Sequence, residues 1–295
     1  MVRAFFSHNT YVKGKPTKMK KILVPTDFSE CAGYAEHAAI QLARQAKAEI
    51  HFFHMMGVPP DWIGMELNED RLYASVNNNV NRVNKQLDDL VALAEKSSVK
   101  AKKMLQYEVS FNDILSYIQK AGVDFVVMGS HGVSGVGDFL VGSNTQKMSR
   151  FCTVPLMVIN RPVDEFQIKT IVFATDLDNP KSAFNKNVAE FARLFGASVH
   201  GLFVNTPFVF LDTPTSNAKA EEYCSNEPEL FESFTIYSFK TQEGGILSFA
   251  KDVDADVIVM VTESKGGLAR AFEKSVTESV IRFAKTPVLS FNSGI

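Results

Sequence analysis

Several features that define other protein classes are scarce or missing in this sequence. Its 295 residues contain only three cysteines, Cys31, Cys152 and Cys224. Three widely spaced cysteines form neither a disulfide framework nor a zinc site, and they suit a reducing compartment. No run of about 18 apolar residues predicts a membrane span. The first 20 residues lack the apolar core of a secretory signal, so we expect a cytoplasmic protein.

The chain also has no excess of charge of either sign. It carries 31 Lys and Arg residues against 33 Asp and Glu residues, a formal net charge of −2. Such a balance does not provide the basic field on which nucleic-acid binding depends. A G-x-x-x-x-G-K-[ST] loop for binding nucleotide phosphates is absent as well. With 45% hydrophobic and 22% charged residues, the composition is that of a globular protein long enough for two domains.

Two halves of the sequence repeat one pattern. Residues 21–27 (KILVPTD) match residues 170–176 (TIVFATD), and residues 49–55 match residues 198–204. The apolar segments 124–128 and 153–159 match 256–260 and 285–291 in the same order. We therefore predict a tandem duplication with domains at 19–162 and 163–295 and a seam near 160–167. Residues 1–18 fit no periodic pattern and are predicted to be an N-terminal tail without an assigned function.

Each copy alternates short apolar runs with helical stripes. The apolar runs are continuous, which is typical of parallel strands covered on both faces. Apolar steps of three and four residues predict a long helix over 72–94 and a shorter one around 114–118, with a strand at 103–109 between them. In the second copy, Pro207, Pro214 and Pro228 predict a short or irregular helix. The predicted fold class is α/β, with two open parallel sheets flanked by helices.

A glycine motif follows the apolar run at 124–128. Gly129-Ser130-His131-Gly132 is followed nine residues later by Gly142-Ser143, at the predicted start of a helix. Glycines allow backbone N–H groups to approach an anion, and a helix N-terminus offers unpaired N–H donors and a favourable dipole. The motif therefore predicts a phosphate cradle in the first copy.

Pro25-Thr26-Asp27 and the G-x-x-G, nine-residue, G-S pattern resemble the universal stress proteins in their tandem form, over roughly 19–291. The resemblance implies a five-stranded parallel Rossmann-like sheet in each copy and ATP at the carboxyl ends of the strands. It also implies pairing through the last strand, here residues 154–158. The residues that it places at the nucleotide are Pro25, Thr26, Asp27 and Met55 for adenine and ribose, Met128, Gly129, His131 and Gly132 for ribose and phosphates, and Gly142, Ser143 and Asn144 for the phosphate tail. Mg²⁺ is expected with the triphosphate, held by Ser143 or water.

Structural alternatives remain open for these residues. Asp27 can brace the following helix, and Cys31 can be a small buried thiol. Ser143 can be the N-cap of a capping box over 143–146, a pattern that 275–278 keeps in the second copy. His131 can donate to phosphate, but the sequence pairs it with no catalytic partner, and no catalytic residue or metal ligand is assigned.

The second copy departs from the glycine motif. An offset of 132 places Val261, Ser264 and Lys274 where the first copy has its three glycines, and brings in Glu263 and Glu273. Bulk and negative charge there disfavour phosphate, although Lys265, Arg270 and Lys274 could favour a different anion. We expect only the first copy to bind nucleotide, with the second as a scaffold or pseudo-dimer partner. The segment 208–211 either lines a crevice of this copy or forms a hydrophobic lid on its core.

The leading functional hypothesis is an ATP-binding protein of stress response or signalling. The nucleotide would order residues 133–141 and change the surface offered to protein partners. The alternatives are a slow ATPase or nucleotide-dependent transferase, and a scaffold that uses no nucleotide. Association of two chains, and the choice among ATP, ADP, AMP and cyclic nucleotides, stay open at this point.

Overall fold

The computed structural model describes residues 2–5, 19–57, 69–107, 111–130, 142–178, 183–262 and 268–292. It begins with strand β1 (Val2–Phe5), which lies in the segment where the sequence predicted no element. The first half then alternates strands and helices in the order β2 (Lys21–Pro25), α1 (Glu30–Ala46), β3 (Glu49–Met56), α2 (Glu69–Lys96), β4 (Ala101–Tyr107), α3 (Phe111–Ala121), β5 (Phe125–Gly129), α4 (Ser143–Phe151) and β6 (Leu156–Ile159).

The second half repeats this alternation. Its elements are β7 (Thr170–Ala174), α5 (Ala183–Phe195), β8 (Ser198–Asn205), α6 (Thr213–Asn226), β9 (Ser233–Ser238), α7 (Gln242–Asp252), β10 (Val257–Thr262), α8 (Leu268–Phe283) and β11 (Val288–Asn292). Helix α6 has 14 residues where α2 has 28, so the prediction of a short helix is confirmed. Pro214 lies in the first turn of α6, where a missing N–H costs nothing, and therefore starts this helix rather than breaking it.

One sheet runs through both halves. Its strand order is β1-β9-β8-β7-β10-β11-β6-β5-β2-β3-β4. Within each half the five repeated strands are parallel. The halves meet where β6 and β11 pair antiparallel, with Met157 opposite Leu289. The predicted α/β class is confirmed, but the two predicted parallel sheets form one continuous sheet, because the last strands of the halves pair within one chain.

The strand β1 covers one edge of this sheet. It pairs antiparallel with β9, with Val2 opposite Ile236 and Phe5 opposite Ser233. An edge strand otherwise leaves a row of backbone groups open to further pairing. The pattern of the sequence did not predict β1 because four residues are too few for a periodicity to be recognised.

Helices cover both faces of the sheet and bury two apolar clusters that extend across the halves. One face carries α1, α2, α5 and α6, and the other carries α3, α4, α7 and α8. On the first face, the rings of Phe125 and Phe191 lie parallel with centroids 6.0 Å apart, although they belong to different halves. Side chains of α1 also hold the connection between the halves, since Gln41 accepts from Phe166 N at 2.7 Å and Gln45 donates to Phe166 O at 2.6 Å. Among the described residues, no helix is long and apolar enough to span a membrane.

Candidate functional site

The site predicted in the first half lies on the side of the sheet where the parallel strands have their carboxyl ends. Strand β2 pairs with β3 on one side and with β5 on the other, so the strand order changes direction at β2. The carboxyl ends of parallel strands lie at the same edge, and ligands of open α/β sheets bind at such a switch point. The ends of these three strands bring Pro25, Met55 and Gly129 to this edge.

The turn after β2 is held by its own side chains. Thr26 donates its backbone N–H to Phe53 O at 2.9 Å, and its Oγ1 accepts from Phe28 N at 2.9 Å. Phe28 has a φ of 60°, in the left-handed region, and Asp27 Oδ1 accepts from Ser29 N at 3.0 Å. Asp27 therefore does brace the start of α1. A carboxylate offers about four acceptor positions, so Asp27 also has the capacity to accept from a ligand.

Two side chains that the sequence pattern did not indicate complete this turn. Glu36 on α1 is only 6% exposed, and its Oε1 accepts from the Thr26 hydroxyl at 2.5 Å. Burial raises the pKa of the Glu36 carboxyl, and the hydrogen bond from Thr26 lowers it in part. His54 donates from Nδ1 to Thr26 O at 2.8 Å and stacks on Phe28, with ring centroids 4.7 Å apart. Burial lowers the pKa of His54, which favours the neutral ring. The only sign of this cluster in the sequence is a Glu among the apolar residues on one face of the predicted helix.

Helix α4 begins beside the end of β5. Gly142 donates to Ser130 O at 2.7 Å, and the Thr145 hydroxyl donates to Gly129 O at 2.9 Å. Gly142 is the N-cap, and no side chain caps the helix. Ser143 is the first helical residue, so the hypothesis that Ser143 is the N-cap of a capping box is wrong. Ser143 and Asn144 are exposed at this end of the helix.

The packing around Gly129 leaves no room for a side chain. A Cβ added there would lie 2.7 Å from the carbonyl oxygen of Cys31 and 2.9 Å from its carbonyl carbon. The start of α1 therefore packs directly on the end of β5. Cys31 is buried, as the structural alternative for it predicted, with its Sγ 3.7 Å from Ser130 Oγ.

The remaining predicted residues are placed differently. Met128 is 6% exposed and belongs to one of the core clusters, whereas Met55 is half-buried at the end of β3. His131 and Gly132 lie outside the described residues, as does the segment 133–141. Within the described parts of the chain, no three His, Cys, Asp or Glu side chains are grouped as a metal site would require.

Comparison with known proteins agrees with the repeat. The profile described as the universal stress protein family matches residues 18–160 and again residues 167–291. The chain belongs to the universal stress protein family. Its relatives include universal stress proteins of Methanocaldococcus jannaschii and of Bacillus subtilis. The first is 26% identical over 55% of this chain and 94% of its own length, and the second is 26% identical over 47% of this chain and 97% of its own length.

Solved structures show that whole universal stress proteins share the tandem fold. A universal stress protein from Archaeoglobus fulgidus has a TM-score of 0.69 and 18% identity, covering 94% of this chain and all of that one. A putative universal stress protein from Pseudomonas aeruginosa has a TM-score of 0.64 and 17% identity, with 93% of each chain covered. At these identities the likeness shows the fold alone.

The second half of this universal stress protein keeps the turn after its first strand. Leu177 has a φ of 65° and donates its N–H to Thr175 Oγ1 at 3.3 Å, while Asp176 Oδ1 accepts from Asp178 N at 2.9 Å. These bonds match those of Thr26 and Asp27 in the first half. The turn is therefore part of the fold of both halves, and by itself it does not mark a nucleotide site.

The second half differs where the first half has its glycines. Helix α8 begins at Leu268, so Lys274, which matches Gly142, lies inside the helix. A residue inside a helix uses its N–H for the helix itself, so α8 offers no helix start at the position of the cradle. For the same reason Ser275 is not an N-cap, and the expectation that the capping box persists in this copy is wrong. Glu263, Ser264 and Lys265 lie outside the described residues, and the side chains of Arg270, Glu273 and Lys274 are not described.

The segment after β8 does not cover the core with its phenylalanines. Phe208 is 90% exposed and Phe210 is 70% exposed, whereas Leu211 packs against a core cluster, so the interpretation of these phenylalanines as a hydrophobic lid is wrong. The loop is nevertheless held at its ends, because Asn205 donates to Leu211 O at 2.8 Å and accepts from Leu211 N at 3.0 Å.

Proposed function

We propose that the first half of this protein binds an adenine nucleotide, as ATP with Mg²⁺, at the carboxyl ends of β2, β3 and β5. The observation that carries the proposal is the start of α4 at Gly142, next to the end of β5 and without a side-chain cap. The first amides of a helix that lacks such a cap suit phosphate oxygens. The nearby helix α1 differs, because Ser29 caps it by accepting from Ala32 N.

The residues present fit such a ligand in outline. Asp27, on the turn that leads into α1, can accept from the ribose hydroxyls or the exocyclic amine of adenine, which are donors. Gly142, Ser143 and Asn144 would face the phosphates, and Met55 would form part of the wall beside the base. Mg²⁺ would arrive with the triphosphate, with the Ser143 hydroxyl or water completing its oxygen ligands.

In this proposal the protein acts in stress response or signalling through the nucleotide-bound state, without a requirement for turnover. Binding would shift the population of surfaces presented to a protein partner, and the second half would serve as the internal pseudo-dimer partner that β6 and β11 join. We also propose a cytoplasmic location, because Cys31, Cys152 and Cys224 are all buried free thiols.

Identification of the bound nucleotide tests the proposal. The purified protein is denatured, and the released nucleotides are quantified by chromatography and mass spectrometry. We expect about one adenine nucleotide per chain. Fresh protein incubated with Mg-ATP is then followed for phosphate release, and many turnovers would favour an ATPase instead. If the protein contains no nucleotide and binds none of ATP, ADP, AMP or cyclic AMP, the proposal is wrong and the alternative hypothesis of a nucleotide-independent scaffold is favoured.

Gly142→Val tests the position of the site. Gly142 has φ −59° and ψ 144°, a backbone conformation open to any residue, so we expect the variant to fold. Its side chain would occupy the space at the start of α4 and remove ATP binding. The matched variant Lys274→Ala in the second half should leave the stoichiometry unchanged. Unaltered ATP affinity in Gly142→Val would refute this site.

A further inference from the structure

A carboxylate lies buried beneath the proposed nucleoside site. Glu36 is on the face of α1 that packs on the sheet, and its neighbours Ala32, Ala39 and Ile40 are buried as well. Carboxylates are rarely buried, since removing the charge from water costs free energy that hydrophobic packing does not return. A position of this kind would usually carry an apolar residue, so the presence of Glu36 needs a reason.

The contact of Glu36 supplies that reason. The Thr26 hydroxyl donates to Glu36 Oε1 at 2.5 Å, so the buried carboxyl group has a hydrogen-bond partner in the turn after β2. A hydroxyl has a single proton, so donation to Glu36 leaves Thr26 Oγ1 as the acceptor for Phe28 N. That second bond holds Phe28 at a φ that residues with a side chain rarely adopt, and Asp27 lies between the two bonded residues.

The second half provides an internal comparison. An offset of 149 aligns Thr26 with Thr175 and Glu36 with Asn185. Asn185 is fully buried but neutral, and its Oδ1 accepts from the hydroxyl of Tyr223 on α6 at 2.8 Å. The bond from Leu177 N to Thr175 Oγ1 is 3.3 Å, against 2.9 Å for the corresponding bond in the first half. The turn therefore forms without a carboxylate below it, and the carboxylate occurs in the half that has the glycine motif.

We propose that Glu36 is a positioning residue for nucleotide binding. Its carboxylate orients the Thr26 hydroxyl, and through this hydroxyl it fixes the turn that presents Asp27 to the nucleoside. The inference rests on the proposed function of the first half. Because the turn of the second half forms without a carboxylate below it, we expect the hydrogen-bond acceptor that Glu36 offers to Thr26 to matter for binding and not for folding. Leucine at this position removes the cost of burying a carboxylate, which offsets the hydrogen bond that Thr26 loses.

The experiment compares Glu36→Leu and Glu36→Gln with the wild-type full chain, and uses Asn185→Leu as the matched control in the second half. ATP affinity is measured by calorimetry at a temperature well below unfolding, and the unfolding midpoint is measured without nucleotide. We expect Glu36→Leu to weaken ATP binding about tenfold, as for loss of a hydrogen bond to a charged group. Its unfolding midpoint should equal or exceed that of the wild type. Glu36→Gln, whose amide oxygen can accept from Thr26, should recover most of the affinity, and Asn185→Leu should bind ATP as the wild type does.

The outcomes separate the two proposals. Wild-type protein that binds ATP, with Glu36→Leu binding equally well, would overturn the role of Glu36 and leave the site in place. A Glu36→Leu protein that fails to fold, or that loses stability and affinity together, would show a structural role and overturn the inference. If Glu36→Gln binds ATP as weakly as Glu36→Leu does, the hydrogen bond from Thr26 to residue 36 is not what connects Glu36 to nucleotide binding, and the inference is overturned. Wild-type protein that binds no nucleotide would defeat the proposed function, and this inference with it.

Discussion

The guanidinium of Arg150 on α4 contacts the carboxylate of Glu278 on α8, with Nε 2.5 Å from Oε1 and Nη2 3.0 Å from Oε2. This pair connects the helix that begins at the proposed phosphate site to the second half of the molecule. Asn160 adds to the same contact, because its Nδ2 donates to Ile281 O at 2.6 Å and to Ala284 O at 2.7 Å. The two halves are therefore joined by polar side chains as well as by β6, β11 and the shared apolar clusters.

The Arg150–Glu278 pair is expected to contribute little to stability. The Arg150 side chain is 47% exposed, and water screens such a charge. We predict that a double-mutant cycle of Arg150→Ala and Glu278→Ala, followed by urea unfolding, gives a coupling energy below about 1 kcal/mol that decreases with added salt. A coupling of several kcal/mol would mean that the pair holds the halves together.

Substitution by alanine should affect the free energy of unfolding differently at Gly129 and at Gly142. Gly129→Ala places a Cβ 2.7 Å from a backbone atom of Cys31, so the start of α1 must shift. We predict a loss of about 1–3 kcal/mol in the free energy of unfolding, as for other overpacked sites. Gly142→Ala should lose less, about 0.5–1 kcal/mol, because the backbone at Gly142 suits any residue but alanine is a poorer N-cap than glycine. Both are measured by urea unfolding without nucleotide, and equal losses would contradict the packing described for Gly129.

Glu49 should make the protein sensitive to acid. Burial raises the pKa of its carboxyl, but Lys102, Lys100 and His51 together outweigh burial and lower the pKa to about 2. A folded-state pKa below the unfolded value contributes stability above the unfolded pKa, which is lost as the pH falls toward the folded one. We predict that the wild type loses more stability than Glu49→Gln between neutral pH and about pH 3. Parallel pH profiles for the two proteins would refute the contribution of this cluster.

Two phenylalanines near the end of β8 should differ in their importance for folding. Phe203 is 1% exposed and Phe208 is 90% exposed. Phe203→Ala is predicted to cost about 3–5 kcal/mol through the lost contacts and the cavity, whereas Phe208→Ala should change the free energy of unfolding by less than about 0.5 kcal/mol. Urea unfolding of both variants checks this, and a large loss in Phe208→Ala would restore the lid interpretation.

Local pattern was enough to predict the alternation of strands and helices, the duplication and the class of fold. Continuous apolar strands and three- and four-residue stripes depend on near neighbours in the chain, and such patterns are present in the sequence itself. The strand at 103–109 was predicted two residues late, since β4 is Ala101–Tyr107. The helix at 72–94 was predicted within α2, and only its ends differed.

The sequence by itself determined that two copies of one α/β unit lie in tandem and that only the first has the glycine motif. The tertiary structure decided that Gly142, rather than Ser143, caps α4 and that α8 begins at Leu268. It also decided that Gly129 faces the backbone of Cys31 and that Glu36 lies buried under Thr26. These features depend on contacts between elements that are far apart in the chain. Such packing leaves no periodic pattern in the sequence from which it could be predicted.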